Sequence, residues 1–427
     1  MNMTTVVLIG YVWPEPTSSA AGLRDLSLIE DFQKQGWRVI FASQSKESEF
    51  SAALVARGVE IKVVAANDPA FDSWIKDLQP DYVIFDRFMI EEQFGWRVQE
   101  NSPNAVRVLD TIDLHFLRRA RMAALEEGKP LSEISDASID LETDDALREI
   151  AAIYRSDLTF ILSDFETTLL RDRFQVSPEH IFLHRFSYPK PEAVIPTFQD
   201  RRDFVMIGNF RHPPNKDAVL WMKKEVWPIM RRLMNDRNQK PELHIYGAYP
   251  GKDVMSLDRP SEGFRVLGWA KDQYAALRKY RVDLAPLRFG AGIKGKISDG
   301  WWTGTPVVTT PIGAEGMHGD FSFPGIIGRS ADELAALALS LYDDEVLWTE
   351  NQKRGWMLLR ELYDPESNAR SLIGAMTGAK EHLGSRRSAN FIGKMLNHHQ
   401  HKSTKYFSKW IEQKNIDKLK SASGELA

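Results

Sequence analysis

Residues 286–316 read PLRFGAGIKGKISDGWWTGTPVVTTPIGAEG, and the alternation in this stretch decides the fold. A strand candidate (282–285) ends just before it. Gly290, Gly292 and Gly295 then allow a tight turn with exposed backbone N–H groups. A helix is expected to begin near Lys296, and Gly304-Thr-Pro-Val-Val ends it and opens the next strand. Strand, glycine-rich turn, helix and strand in that order is the signature of a parallel α/β unit.

The same alternation extends in both directions. Upstream, strands are expected at 6–10, 38–43, 61–64, 82–85, 107–110 and 158–162, with an amphipathic helix over 22–35. The stretch 124–145 is acidic and poor in large apolar residues, and it reads as a solvated excursion. Three prolines in Tyr188-Pro-Lys-Pro-Glu-Ala-Val-Ile-Pro196 oppose both helix and central strand, which sets a domain boundary there. The pattern then restarts, with strands at 204–207, 243–246, 265–267, 282–285 and 306–309 and one strong helix over 216–234. A closing helix is expected over 365–382. The reading is therefore α/β throughout, with two doubly wound Rossmann-like domains facing across a cleft. The divisions are an acceptor-side domain at 1–195, a nucleotide-sugar-binding domain at 196–383 and a basic extension at 384–427.

Bulk properties fit this reading. A chain of 427 residues suits two cores, and 43% hydrophobic with 27% charged residues is a globular composition. A net charge of -4 offers no basic excess for nucleic acid, so no nucleic-acid partner is expected. Cysteine is absent, which removes disulfides, thiolate metal sites and cysteine nucleophiles together and fits a reducing compartment. No secretory leader and no apolar run of spanning length is read, so the expected location is cytoplasmic, with the inner membrane face as the alternative. The extension beyond 384 interleaves lysines and arginines with Phe391, Met395, Tyr406, Phe407 and Trp410. It is expected either to extend in solvent or to lie on an anionic membrane or a partner.

The chemistry is carried by 290–299. A glycine-rich turn entering a helix N-terminus favours phosphate, because free N–H groups and the helix dipole both attract anions. Lys294 and Lys296 add positive charge, and Asp299, one turn in, is expected to face the cleft and accept from ribose hydroxyls. A tight turn alone would also account for the glycines; the neighbouring segments strengthen the site reading. Residues 204–218 read FVMIGNFRHPPNKDA, and 243–247 and 266–268 read LHIYG and VLG. Together with 286–316 these segments resemble the retaining glycosyltransferases of family 4, which have the GT-B fold, over nearly all of 200–380. The resemblance implies a donor site at Gly208, Asn209, Arg211, Lys216, Gly268, Gly292, Lys294, Lys296 and Asp299.

In the first half the resemblance is looser. Ser18-Ser-Ala-Ala-Gly22 falls at the family's first glycine-rich loop, so Gly22 joins the donor-binding set. Leu109-Asp-Thr-Ile-Asp-Leu-His115 falls where the family has its catalytic histidine. That implies His115 as the catalytic residue with Asp113 beside it, and Ser163-Asp-Phe-Glu166 as the family's strand-end serine and glutamate. One departure concerns the family's two glutamates eight positions apart, which here are Ala291 and Asp299. The implied activity is sugar transfer from a nucleotide-diphosphate sugar to a glycan, lipid-linked or other acceptor, with retention and with no metal or other cofactor. No Asp-x-Asp occurs in the chain. A non-catalytic sugar-nucleotide-binding subunit is the rival reading. An epimerase or phosphorylase shares the sheets but not these segments, and no Gly-x-Ser-x-Gly elbow supports a serine hydrolase.

Overall fold

Among the described residues, the expected strands and two short ones more form thirteen parallel strands in two separate sheets. The computed structural model describes residues 3–135, 139–191, 194–235 and 240–422. In the first sheet β1 (Thr5–Gly10), β2 (Arg38–Ser43), β3 (Glu60–Val63), β4 (Tyr82–Asp86), β5 (Val106–Asp110), β6 (Leu158–Ile161) and β7 (Ile181–Leu183) lie in the order β3-β2-β1-β4-β5-β6-β7. The second holds β8 (Arg202–Ile207), β9 (Leu243–Tyr246), β10 (Phe264–Gly268), β11 (Tyr280–Ala285), β12 (Val307–Thr309) and β13 (Ile326–Ile327) in the order β10-β9-β8-β11-β12-β13. Each sheet reverses its strand order at one crevice, β1/β4 in the first and β8/β11 in the second. Open α/β sheets bind ligands just outside such crevices.

Strand alternation explains the layers. Val7, Ile9 and Ile40 face one set of helices while Val6, Leu8, Val39 and Phe41 face the other. Both faces are covered, so the strands are apolar nearly throughout, as parallel strands must be. β7 and β13, at outer edges, were not anticipated; each has three residues or fewer, too short for a periodic signal.

Four expectations need correction. The single helix expected over 216–234 is broken into Pro213–Trp221, a π-helical turn Met222–Val226 and Trp227–Leu233. Pro228 lacks the N–H that a continuous α-helix would use, and the wider turn before it absorbs the mismatch. The acidic 124–145 stretch is not a solvated excursion, because Ile134, Ile139 and Leu141 are buried in the first domain's core. Three apolar residues spaced along an acidic stretch suffice to pin it; 136–138 lie outside the described residues.

The third correction concerns Pro365–Glu381, expected to close the second domain. Its Leu372, Met376 and Ala379 instead join Val6, Leu8 and Phe32 on the first sheet, so the chain crosses back. The preceding helix, Glu345–Leu362, does belong to the second half, where Gly355 lets it pack against Trp301. The fourth is the extension, which is not loose in solvent. Helices Leu383–Ala389 and Phe391–Ala422 lie along the first domain. Arg387 holds the buried Asp157 at 2.7 Å, Lys405 holds Glu100 at 2.6 Å, and buried Arg97 pairs with Asp72 at 2.7 Å and with Glu412. Among the described residues, no helix is long and apolar enough to cross a membrane.

Candidate functional site

The two crevices face one another, and a band of contacts between the domains surrounds them. At the rim Asn209 Nδ2 donates to the Ser18 carbonyl at 3.0 Å, Trp269 Nε1 to the Thr17 carbonyl at 3.3 Å, and the Tyr249 hydroxyl to Glu15 at 2.8 Å. Deeper in, Arg121 donates to the Gly290 carbonyl at 2.9 Å and grips Glu315 with two bonds of 2.8 and 2.7 Å.

The loop between β11 and helix Gly295–Trp302 is the centre. Gly292 has φ +63, and a Cβ there would lie 2.8 Å from Asp113 Cβ and 2.9 Å from the Ile112 carbonyl oxygen. Glycine is thus required twice, for the backbone conformation and for the contact. This contact brings the two predicted halves of the site together. Helix Gly295–Trp302 has no side-chain cap at its N-terminus, which leaves its first N–H groups to an anion or solvent. Lys294 is buried, with Nζ 3.2 Å from the Glu315 carbonyl oxygen. Burial pushes its pKa down to about 8 against the pull of Glu315. Lys296 is half-buried and bonds Asn215, and burial brings it to about 8 against Asp283.

On the facing side His115 opens helix His115–Glu126 immediately after the β5 turn. Its Nε2 lies 3.2 Å from Asp113 Oδ1, and Arg118 Nε lies 2.6 Å from Asp113 Oδ2. Burial alone would raise Asp113, but Arg118 and then His115 hold its carboxyl well below the usual range. The Asp113 carboxylate accepts from Nε2–H and so fixes the orientation of the ring. Nδ1 is buried and has no hydrogen-bond partner among the described residues.

The remaining predicted residues divide. Gly208 ends β8 against Asn215 and Lys296 Nζ, and with Tyr246 and Pro286 it lines a cavity at the β8/β11 crevice. Asn209 bridges the domains, and Gly268 turns the chain at the end of β10 with φ +75. Four positions are engaged within the protein itself. Gly22 presents no backbone to a ligand: its N–H donates to Ser19 Oγ at 3.0 Å, and a Cβ would strike the Glu15 backbone at 2.5 Å. Arg211 stacks on the exposed Tyr249 ring at 3.6 Å, and Lys216 pairs with Asp253 at 2.5 Å on the surface. Asp299 does not open to the cleft. It is buried, accepting from the Tyr188 hydroxyl at 2.8 Å and from Gln273 at 3.3 Å, and burial raises its pKa to about 7. The linker returns across the helix and places Tyr188 over it. The Gly292 N–H, expected for phosphate, donates to Glu166 at 2.8 Å.

Other groups at the site were not anticipated in these roles. Glu166 Oε1 accepts from both Leu114 and Gly292, one from each domain, and burial raises its pKa to about 7. The Glu166 position was visible by resemblance; its bridging role needed the tertiary structure. His212 lies exposed at the start of helix Pro213–Trp221. Its place beside Asn209 in the 204–218 stretch was the signal. Asp283 lies fully buried in β11 with both carboxylate oxygens unpartnered among the described residues, and burial raises it to about 8 against Lys296. A carboxylate amid a buried strand is itself a warning of function.

Two parallel-sheet domains with opposed crevices are the GT-B architecture. Residues 201–344 match the family model described as Glycosyl transferases group 1. Among solved structures, a glycosyltransferase from Rickettsia africae superposes with a TM-score of 0.64 at 11% identity, covering 89% of this chain and 99% of that one. HepE from Anabaena, solved with UDP and glucose, gives 0.65 at 10% identity, covering 88% and 100%. TarM from S. aureus, solved with UDP, fondaparinux and α-GlcNAc-glycerol, gives 0.63 at 10% identity over 88% and 100%. No curated protein matches the chain in sequence. The family match and the shared fold together support a GT-B glycosyltransferase.

Proposed function

We propose that the chain transfers a sugar from a nucleotide-diphosphate sugar to a glycan or lipid-linked acceptor, with retention and without a metal. The observation that carries this is the uncapped N-terminus of helix Gly295–Trp302, flanked by Lys294 and Lys296 and facing His115 and Asp113 across Gly292. As the sugar bond breaks, negative charge develops on the diphosphate. Fixed N–H groups and two cations already aimed at that point lower the barrier more than they stabilise the bound donor. His115, held by Asp113 beside the Gly292 loop, orients the sugar ring of the bound donor. Retention and family 4 rest on the likeness of 204–218 and 286–316 to that family. UDP in two of the superposed structures makes a uridine donor the first to test.

Thermal melts against nucleoside diphosphates test the donor site, since a native-state ligand raises stability in proportion to affinity. UDP or GDP should raise the melting temperature, and Lys296→Met should abolish the rise. An unchanged rise in the variant overturns the phosphate assignment. A second reading, a non-catalytic nucleotide-sugar-binding subunit, is favoured by Asp299 being occupied by Tyr188. Release of free nucleotide from donor without acceptor separates the two, because an active centre leaks to water and an inert one does not.

A further inference from the structure

Helix Phe391–Ala422 is docked by one side, where Gly393, Ser408 and Glu412 are buried against the first domain. At 3.6 residues per turn, its opposite side carries Ile392, Met395, Tyr406 and Trp410, with Phe391 and Phe407 at the two margins. These side chains are strongly exposed: Phe391 is 73% accessible, Tyr406 67%, Phe407 62% and Trp410 53%. Phe407 and Trp410 stack on each other at 5.9 Å, and Lys414 lies 3.9 Å over the Trp410 ring. A row of large apolar side chains in water is unfavourable, by roughly 1.5–3 kcal/mol for each one that could be buried, and so marks a contact surface.

The charges on this helix identify the partner. The carboxylate-paired cations, Lys405 and Lys409, sit toward the docked side. Among the described residues, Lys402 and Lys414 pair with no carboxylate, and they flank the aromatic row. Aromatic rings bordered by unpaired lysines match the headgroup layer of an anionic bilayer, where ring faces lie at the acyl boundary and ammonium groups reach phosphate. A second copy of the chain would instead set like charges against each other. We propose that this face seats the protein on an anionic membrane surface, independently of the sugar-transfer reading.

Flotation of the full chain with phosphatidylglycerol-containing vesicles, against phosphatidylcholine vesicles, tests the proposal. Binding to the anionic vesicles alone, weakened by salt, is expected. The aromatic variant Tyr406→Ser/Phe407→Ser/Trp410→Ser should stay in solution. Lys402→Glu/Lys414→Glu should weaken partitioning by at least about fivefold for each lysine. All five positions lie away from the docked side, so both variants should keep the parent melting temperature and its response to UDP. If an aromatic variant melts early, the lysine variant decides by itself. No flotation of the parent, or flotation unchanged in a correctly melting variant, overturns the proposal. A concentration-dependent dimer that the aromatic variant abolishes would also overturn it, by assigning the face to a second copy.

Discussion

At the scale of single residues the site depends on Gly292 and Glu166. Replacing Gly292 with alanine forces a Cβ into Asp113 at a φ of +63, so the 290–294 loop must withdraw from the facing domain. A displacement near 1 Å at a reacting centre costs on the order of a hundredfold in rate. We expect that loss in kcat/KM for Gly292→Ala, with a stability loss of only about 1–3 kcal/mol in a denaturant melt. Glu166 makes a pH prediction. Burial raises its pKa from 4.5 to about 7, so the folded state holds its proton more tightly than the unfolded chain. The stability it supplies is full below about pH 4.5 and is lost as pH rises through about 7. Glu166→Gln keeps an acceptor for Leu114 and Gly292 but removes the titration. The difference in unfolding free energy between about pH 5 and about pH 8 should shrink by up to about 3 kcal/mol. The places of Gly292, Lys294 and His115 beside the facing domain could be anticipated because each follows from a local feature: a turn, a helix start, a strand end. Asp299 was misread because Tyr188, 111 residues away, occupies it.

At the scale of elements the central strands of both sheets followed from periodicity, since buried parallel strands leave near-continuous apolar runs. What periodicity does not report is which layer a helix covers. Pro365–Glu381 has an ordinary amphipathic pattern, and only the crossing of the chain assigns its Leu372 and Met376 to the first sheet. The terminal helix is the stronger case, since a basic composition concealed how far it is docked. Arg97, with no exposed side-chain surface, donates to Ser408 at 3.1 Å and pairs with Glu412, so the helix neutralises a charge inside the first domain. Glu412→Ala leaves that guanidinium with Asp72 as its ion-pair partner among the described residues. A loss of about 3 kcal/mol is expected, toward the lower end for a buried pair because one carboxylate remains. Urea melts of the variant check this, and an unchanged midpoint would mean that the helix contributes little to the first domain's stability.

At the scale of the whole molecule the cleft is closed by a buried ion pair. Arg121, on the first domain's helix His115–Glu126, has no exposed side-chain surface, and Glu315 of the second domain is nearly as enclosed. The pair sits beside the Gly290 carbonyl, and Lys294 Nζ bonds the Glu315 carbonyl, so the contact that joins the domains also frames the 290–294 loop. Two charges withdrawn from water hold together only while both are present. Removing one strands the other at a cost of about 3–5 kcal/mol, which hydration on opening would relieve. Arg121→Met should therefore shift the ligand-free population toward an open form, seen as a larger radius of gyration in small-angle scattering. A nucleotide binding across the cleft favours the closed state by its differential affinity, so saturating UDP should bring the radius back toward that of the parent. The double variant Arg121→Met/Glu315→Gln removes both charges, and it should recover part of the closure that the single variant loses. If the single variant scatters like the parent without ligand, closure is held by the packing of Gly292 on Asp113 rather than by charge.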